Sequence, residues 1–292
     1  MPFSIGQHLH GFVLQKKQTI KELNGEALVF QHEKSGANLL YLQTEDDNKT
    51  FTIAFRTPPE NSNGLPHILE HSVLCGSEKF PTKEPFVELV KGSLNTFLNA
   101  MTFSDKTAYP IASRNDKDFV NLMNVYMDAV LFPQLHHTEQ ILEQEGWHYE
   151  LDSPDGELTM NGVVYNEMKG AFSSPDGIIY RKIQQYLFPD NQYGNESGGD
   201  PDAIPTLTQE EFTAFHKKYY HPSNSYIMLY GNGDIEKHLQ FIDEQYLSRF
   251  TKQEIDASIP LQKPFGQPIE KVEEYAISSA ETEQGKTFFS LN

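Results

Sequence analysis

The sequence has little of three things that mark particular classes of protein. It contains a single cysteine, Cys75, among 292 residues, so an internal disulfide is excluded and a reducing compartment fits. Its 23 lysines and arginines are outnumbered by 41 aspartates and glutamates, which gives a net charge of −18. Nucleic-acid backbones and anionic membranes attract the opposite charge. No apolar run approaches the roughly 18 residues of a membrane span, so we expect neither a nucleic-acid nor a membrane partner.

Targeting signals are also missing from residues 1–23, MPFSIGQHLHGFVLQKKQTIKEL. This stretch lacks the charged, then apolar, then small-residue order of a secretory signal peptide. It also lacks the Arg-rich, Ser-rich and acid-poor composition of an organelle transit segment. These absences predict a cytoplasmic protein, and an organelle is left open.

The stretch LPHILEH, residues 65–71, places three titratable side chains among apolar residues. Pro66 suits the first turn of a helix, because its fixed φ and missing N–H cost nothing there. In that helix His67 and His71 are four residues apart, so they project from one face and can bind one ion, with Glu70 at the border of that face. His-x-x-Glu-His is the inverted zinc motif of some metalloproteases. The alternative is a pair of core histidines bonded to the backbone.

Two histidines do not complete a zinc site, and the best third ligand lies in GVVYNEMKGAF, residues 162–172. If this stretch is a helix, Glu167 falls on the same apolar stripe as Val164 and Ala171. A carboxylate on an inward face is costly unless it is paired or bound to a metal. Two alternatives stay open: Glu167 pairs with a Lys or Arg, or the helix turns it outward. We expect structural roles for the remaining histidines, including a solvated His136-His137 pair.

The order of the predicted elements indicates an α+β fold in which helices pack on an antiparallel sheet. Residues 11–57 read as a meander of antiparallel strands, and residues 95–113 and 224–232 add further strands. Predicted helices are 65–75, 83–93, 115–131, 138–146, 162–173, 176–187, 208–220 and 234–250. We assign residues 1–253 to one domain, and residues 254–292 to a linker and the first strand, KTFFSLN, of a following, truncated domain.

Taken together, these motifs resemble the pitrilysin-type (inverted-zincin, M16) metallopeptidases, and within them the presequence-protease branch. The stretches similar to that branch are GLPHILEHSVLCGS, GSLNTFLNAMTFSDKTAYPIAS, QEGWHYEL and NGVVYNEMKGAFSSPD. The likeness runs from about Gly6 to Phe250 and implies the α+β metallopeptidase domain of that family.

The resemblance implies a zinc-dependent endopeptidase that degrades unfolded peptides. By resemblance, the site residues are His67, His71 and Glu167 as ligands of Zn²⁺, Glu70 as the general base, and Asn99, Ala100 and Met101 on the strand whose edge pairs with the substrate backbone. The chemistry agrees, since zinc held by two His and one Glu keeps a fourth position for water, and a neighbouring carboxylate can take a proton from that water. A peptide held at a strand edge by main-chain bonds can vary widely in sequence.

Two features depart from the family pattern. Relatives of the insulin-degrading type carry a second Glu seven residues before the ligand, where this sequence has Met160, so an acid supporting the ligands must come from elsewhere. Enzymes of the presequence-protease branch have four related domains in two halves around a chamber, and the distal half supplies an Arg and a Tyr that help bind the substrate. Because this chain matches only the first domain, we expect a fragment that joins the remaining domains of a parent protease and is weakly active or inactive alone.

The competing interpretation is a non-catalytic peptide-binding or scaffold domain, which some relatives have become. Degenerate relatives usually lose motif residues, whereas all four of those expected at the zinc site are present here, which favours the enzyme. Bound zinc together with peptide turnover would separate the two interpretations.

Overall fold

The computed structural model describes residues 3–83 and 85–292. Its main feature is a nine-stranded sheet with helices packed against it, so the predicted α+β class is confirmed. The strands are β1 (His8–Leu9), β2 (Phe12–Ile20), β3 (Gly25–His32), β4 (Asn38–Gln43), β5 (Lys49–Arg56), β6 (Asn95–Leu98), β7 (Met101–Thr102), β8 (Lys106–Ser113), β9 (His148–Glu150), β10 (Thr159–Asn161) and β11 (Ser225–Gly231). The helices are α1 (Leu65–Val73), α2 (Pro85–Gly92), α3 (Asp116–Leu131), α4 (Gln140–Glu145), α5 (Val163–Phe172), α6 (Pro175–Leu187), α7 (Gln209–Tyr219) and α8 (Ile235–Gln245).

The sheet is mixed rather than wholly antiparallel, which corrects the predicted meander. The strands run in the order β1-β2-β3-β4-β11-β5-β8-β6, and β7 also pairs with β8. A meander would pair β4 with β5, but β11 lies between them, parallel to β4 and antiparallel to β5. β11 comes from far along the chain, so local spacing carries no information about this pairing. Strands β9 and β10 form a separate pair.

The alternation of buried and exposed residues along the central strands locates the core. In β11, Ser225, Ile227 and Leu229 are buried, whereas Tyr226 and Met228 are exposed. β5 alternates in the same way. Helix α3 packs against β5 and β8, so the core lies between one face of the sheet and the helices.

Most helices begin and end close to their predicted residues, and a side chain caps the start of α3, α6, α7 and α8. The side chain of Asn115 accepts a hydrogen bond from the backbone N–H of Asp118 at the start of α3. Helix α2 matches the helix predicted at 83–93, of which Glu84 lies outside the described residues. In the described part of the chain, no helix is long and apolar enough to cross a membrane.

Helix α8 is shorter than predicted. It ends at Gln245, and a single 3-10 turn, Leu247–Arg249, follows in place of helix to Phe250. Tyr246 lies between them with a non-helical φ of −134° and ψ of −67°. Its ring is wholly buried, and its hydroxyl donates to the carbonyl oxygen of Asn124 at 2.8 Å. This anchored side chain accounts for the end of the helix.

Residues 251–292 form no helix or strand within the described chain. The strand predicted at 286–292 is not formed in this structure, in which Leu291 is 87% exposed. A strand needs a neighbour to bond its backbone groups, and the apolar alternation of a segment does not supply one. The segment instead lies beside α6, where Lys182 pairs with Glu273 at 3.5 Å.

Candidate metal centre

Helix α1 carries the two motif histidines, and a close contact between glycines fixes where it begins. Gly64 precedes the helix in a left-handed conformation, with φ +73°. A Cβ on Gly64 would lie 2.9 Å from the Cα of Gly199, and a Cβ on Gly199 would lie 2.8 Å from the Cα of Gly64. Glycine at both positions permits this approach, which brings the loop at 198–199 against the first turn of α1.

His67 is oriented by that loop. Its Nδ1 lies 3.0 Å from the carbonyl oxygen of Gly198, so Nδ1 carries the hydrogen and donates it. In this tautomer the other ring nitrogen, Nε2, has the lone pair, and it lies 3.8 Å from Oε2 of Glu167. His67 thus presents a possible metal-binding nitrogen towards Glu167.

His71 is oriented in the same way, but by a carboxylate. Its Nδ1 lies 3.3 Å from Oε2 of Glu145, and its Nε2 lies 3.9 Å from Oε2 of Glu167. The rings of His67 and His71 are 5.0 Å apart between centroids. Burial disfavours the protonated ring of His71, but the hydrogen bond to Glu145 and the surrounding carboxylates outweigh it, so the pKa of His71 is raised.

Glu167 comes from α5, and its surroundings differ from the prediction. Val164 and Met168 are buried, but Ala171 is exposed and the side chain of Glu167 is 56% exposed. The expectation of an inward-facing carboxylate is therefore wrong. The buried stripe of α5 stops before Ala171, and Glu167 lies at its border, where it faces the two histidines.

The three residues can be compared with the needs of a zinc ion. His67, His71 and Glu167 each bring one ligand atom within 4.8 Å of the others. Ligand atoms around tetrahedral zinc lie roughly 3.3 Å apart, since zinc–nitrogen and zinc–oxygen bonds are about 2.0–2.2 Å long. The two distances to Glu167, 3.8 Å and 3.9 Å, are slightly longer, and its exposed side chain has room to turn. Two imidazoles and a carboxylate also suit zinc chemically, so these residues fit the ion.

Glu70 lies on α1 immediately before His71 and is only 7% exposed. Its charge reaches a buried pair of tyrosines, Tyr109 and Tyr220, whose hydroxyl oxygens are 2.8 Å apart. Burial first, and then neighbouring groups that include Glu70, raise the pKa of both tyrosines, so both hydroxyls stay protonated. Glu70 is thus a buried acidic residue that precedes His71 in the sequence and lies close enough to these two hydroxyls to influence them.

Glu145, the last residue of α4, was not among the predicted site residues. It is 6% exposed, and both carboxylate oxygens accept hydrogen bonds. His71 donates to Oε2, while Nε2 of Gln144 lies 2.9 Å and Sγ of Cys75 lies 3.5 Å from Oε1. Burial opposes ionisation, but these donors, His71 foremost, outweigh it and lower the pKa of the Glu145 carboxyl. It is therefore ionised at neutral pH.

A signal for Glu145 was present in the sequence. It follows Ile141 by four residues and Leu142 by three, and both are buried. Glu145 therefore occupies the inward-facing helical position that the prediction sought for Glu167. It is also an acid beside a candidate ligand, in the supporting role that was expected to come from somewhere other than position 160.

The three residues expected on the substrate-binding edge lie where that edge is broken. Met101 begins β7, but Asn99 and Ala100 join β6 to β7 outside either strand, which corrects the prediction for those two. The break arises because β6 pairs with the end of β8 at Ile111–Ser113, and β7 with its beginning at Thr107–Ala108. The N–H of Asn99 still donates to the carbonyl oxygen of Pro110 at 3.1 Å.

The histidines outside this centre include a hydrogen-bonded pair, His136 and His216. His137 is exposed as predicted, but His136 is half-buried, and its Nε2 lies 2.8 Å from Nδ1 of His216, so the solvated pair was half wrong. Nε2 of His216 donates to the carbonyl oxygen of Val130 at 3.0 Å. Burial, then the nearby His136, lowers the pKa of His216 to about 3, and burial lowers that of His238 to about 4.

Two family models match the chain. The model described as "Insulinase (Peptidase family M16)" matches residues 55–169, which include His67, Glu70, His71 and Glu167. The model described as "Peptidase M16 inactive domain" matches residues 206–291. Together the two models match more than half of the chain.

Several curated proteins are similar in sequence. Protein HypA of Clostridium perfringens (strain 13 / Type A) is 60% identical over 292 residues, which are 100% of this chain and 30% of that protein. Presequence protease 1, chloroplastic/mitochondrial, of Arabidopsis thaliana is 51% identical over 91% of this chain and 25% of its own length. Presequence protease, mitochondrial, of Mus musculus is 43% identical over 92% of this chain and 26% of its own length. The chain thus spans 25% to 30% of the length of these relatives.

Solved structures share the fold. A crystal structure of pitrilysin superposes with a TM-score of 0.61 at 19% identity, over 83% of this chain and 25% of that one. A crystal structure of a putative M16-like peptidase from Alicyclobacillus acidocaldarius gives 0.64 at 18% identity, over 82% of this chain and 54% of that one. At these identities the likeness concerns the fold alone.

Proposed function

This chain belongs to peptidase family M16, as its resemblance to the presequence-protease branch predicted, and from that premise we propose that it is the zinc-dependent, peptide-cleaving domain of a larger endopeptidase. The observation that carries the proposal is the approach of the ligand atoms of His67, His71 and Glu167 within 4.8 Å. We assign residues 1–253 to this domain, and residues 254–292 to a linker and the start of a further domain. The remaining domains of the parent protease are the proposed macromolecular partners.

His67, His71 and Glu167 would hold the zinc ion. Bound zinc supplies an open coordination position at which a water has a lowered pKa and a peptide carbonyl is polarised. The carbonyl oxygen of Gly198 accepts the Nδ1 hydrogen of His67, and the carboxylate of Glu145 accepts that of His71. Each Nε2 is thereby left free to bind the metal. Because the ligands must be neutral imidazoles and the pKa of His71 is raised, we expect zinc affinity to weaken as the pH falls towards and below neutrality.

Glu70 carries the proton in this proposal. It is buried beside His71, on the same helix as both histidine ligands, so it is held near any water bound at the site. Its carboxylate takes a proton from the attacking water and then gives it to the departing amine.

The substrate is proposed to be an unfolded peptide that pairs with the edge formed by β6 and β7. β6 ends the strand order, and Oγ1 of Thr102 in β7 donates to the carbonyl oxygen of Pro66 in α1 at 3.5 Å. This contact supports a substrate edge beside the candidate metal centre. Main-chain bonds would hold an extended peptide with little regard for its side chains. Asn99, Ala100 and Met101, at the break in the edge, are the proposed contact residues.

The test of this function is peptide turnover in the complete protein. Replacing the general base should reduce turnover of an unstructured peptide by about 10²–10⁴-fold in Glu70→Gln, while zinc content stays unchanged. Glu157→Gln, which changes an exposed carboxylate, is the matched control and should retain activity. Near-normal turnover in Glu70→Gln would show that Glu70 is not the base. Zinc and peptide binding without turnover by the wild type would instead identify a scaffold domain.

The cytoplasmic location expected from the sequence stays a prediction. The names of two relatives place those proteins in mitochondria or chloroplasts, which agrees with the organelle that was left open. Fractionation of cells that produce the complete protein would decide between these compartments.

A further inference from the structure

Glu145 is a buried carboxylate to which the proposed mechanism gives no proton-transfer role. It is 6% exposed and lies at the end of α4, a helix that packs against both α1 and α5. Those two helices carry all three candidate zinc ligands. A charge in this position is costly to bury and needs firm partners. Its partners, described above, include the imidazole of His71.

The two carboxylate oxygens of Glu145 contact different partners. Oε1 accepts from Nε2 of Gln144 at 2.9 Å, with Sγ of Cys75 at 3.5 Å, so one side of the carboxylate is tied to its own helix and to the end of α1. Oε2 lies 3.3 Å from Nδ1 of His71. The carboxylate therefore has a fixed orientation, and it presents one acceptor to the imidazole.

We propose that Glu145 is a positioning residue that fixes the tautomer and ring orientation of His71 for zinc. By accepting the Nδ1 hydrogen, it leaves the Nε2 lone pair facing Glu167, 3.9 Å away. Such outer partners orient metal-binding histidines and increase their basicity. This inference rests on the proposed zinc function.

The geometry predicts an unusual sensitivity to a nearly isosteric change. A carboxylate accepts at both oxygens, whereas the amide of Glu145→Gln accepts at only one. If its NH₂ faces Gln144 and Cys75, it opposes the donors there. If its NH₂ faces His71, the ring must accept at Nδ1, and its hydrogen moves to Nε2, where it blocks the metal. Either orientation disturbs the arrangement that the wild type satisfies.

The first experiment measures zinc affinity by competition with a chromophoric chelator. We expect Glu145→Gln to bind zinc about 10–100-fold more weakly than the wild type, with an unchanged circular dichroism spectrum. Glu145→Leu, which removes both acceptor oxygens and keeps a side chain of similar size, should lose at least as much. Glu143→Gln alters an exposed carboxylate on the same helix and should bind zinc normally. Wild-type affinity in folded Glu145→Gln would overturn the inference.

The second experiment needs neither zinc nor activity. Long-range ¹H–¹⁵N spectra of metal-free protein labelled at histidine report which ring nitrogen carries the hydrogen, at a pH where His71 is neutral. The wild type and Glu143→Gln should show the Nδ1–H tautomer at His71, and Glu145→Leu should shift towards Nε2–H. An unchanged tautomer in Glu145→Leu would overturn the positioning role. If the wild type bound no zinc, the proposed function would fail, while this comparison would still decide what Glu145 does to His71.

Discussion

Gly199→Ala is the change that most directly links the fold to the candidate site. A Cβ at this position would lie 2.8 Å from the Cα of Gly64 and 2.9 Å from side-chain atoms of Ile204. The backbone φ of +106° is also one that L-residues rarely adopt. Left-handed strain costs roughly 1–2 kcal/mol, and forcing a methyl against packed atoms costs roughly 1–3 kcal/mol. Together they should lower the free energy of unfolding by about 2–5 kcal/mol, or Tm by roughly 5–15 °C.

The same substitution should weaken zinc binding, because the loop that must move carries the Gly198 carbonyl that orients His67. Thermal unfolding followed by circular dichroism and a zinc titration measure the two effects. Gly170→Ala is the matched control, since a Cβ there meets nothing within 4 Å and lies in helix α5. It should raise stability by roughly 0.5–1 kcal/mol. A Tm of Gly199→Ala equal to that of the wild type would refute the close glycine approach.

Three further predictions concern acid, metal removal and the isolated chain. In the folded chain, buried His216 and His238 have pKa values of about 3 and about 4 and stay neutral, whereas in the unfolded chain they titrate near pH 6.5. The free energy of unfolding is therefore largest above pH 6.5, and it falls at lower pH because acid protonates these residues only in the unfolded chain. Each histidine should lower the free energy of unfolding, measured with urea, by roughly 2 kcal/mol between pH 7 and pH 5, and His238→Gln should abolish about half of this pH dependence. A free energy of unfolding that does not change over this range would contradict the burial of the two neutral histidines. Removing zinc with a chelator should lower the Tm of the wild type but not that of His71→Ala, because only a bound ion stabilises the folded state; equal shifts in both would contradict binding at His71. The chain alone should turn over an unstructured peptide far more slowly than the chain mixed with the remaining domains, because each electrostatic donor expected from the distal half contributes a factor of roughly 10²–10³ to the rate. Equal rates would show that this chain contains the whole active site.

The fold class and most helices could be predicted because their signals are local. The 3.6-residue periodicity of α3 and the cap at Asn115 stand close together in the sequence, and they place the helix to within a residue. The insertion of β11 between β4 and β5 could not be predicted, because it joins strands that are distant in sequence. The end of α8 at Gln245 depends on where buried Tyr246 finds a partner, which is also a tertiary matter.

The candidate site divides in the same way. The spacing of His67 and His71 on one helix is a local signal, and the structure brings both rings together. Glu167 was predicted to face inward, but Glu145 is the buried carboxylate. The sequence alone does not show which faces of α5 are covered by other parts of the chain. The break at Asn99 arises because β6 and β7 pair with different parts of β8, and no local sequence pattern predicts this pairing.

The central claim is that His67, His71 and Glu167 together bind one zinc ion, and metal analysis of the purified chain tests it most directly. The wild type should contain about one zinc per chain, and its X-ray absorption spectrum should show two imidazole nitrogens and carboxylate oxygen at about 2.0–2.2 Å. His71→Ala and Glu167→Ala should lose most of the metal, while His137→Ala, which changes an exposed histidine, should retain it. Full zinc content in both His71→Ala and Glu167→Ala would contradict the account.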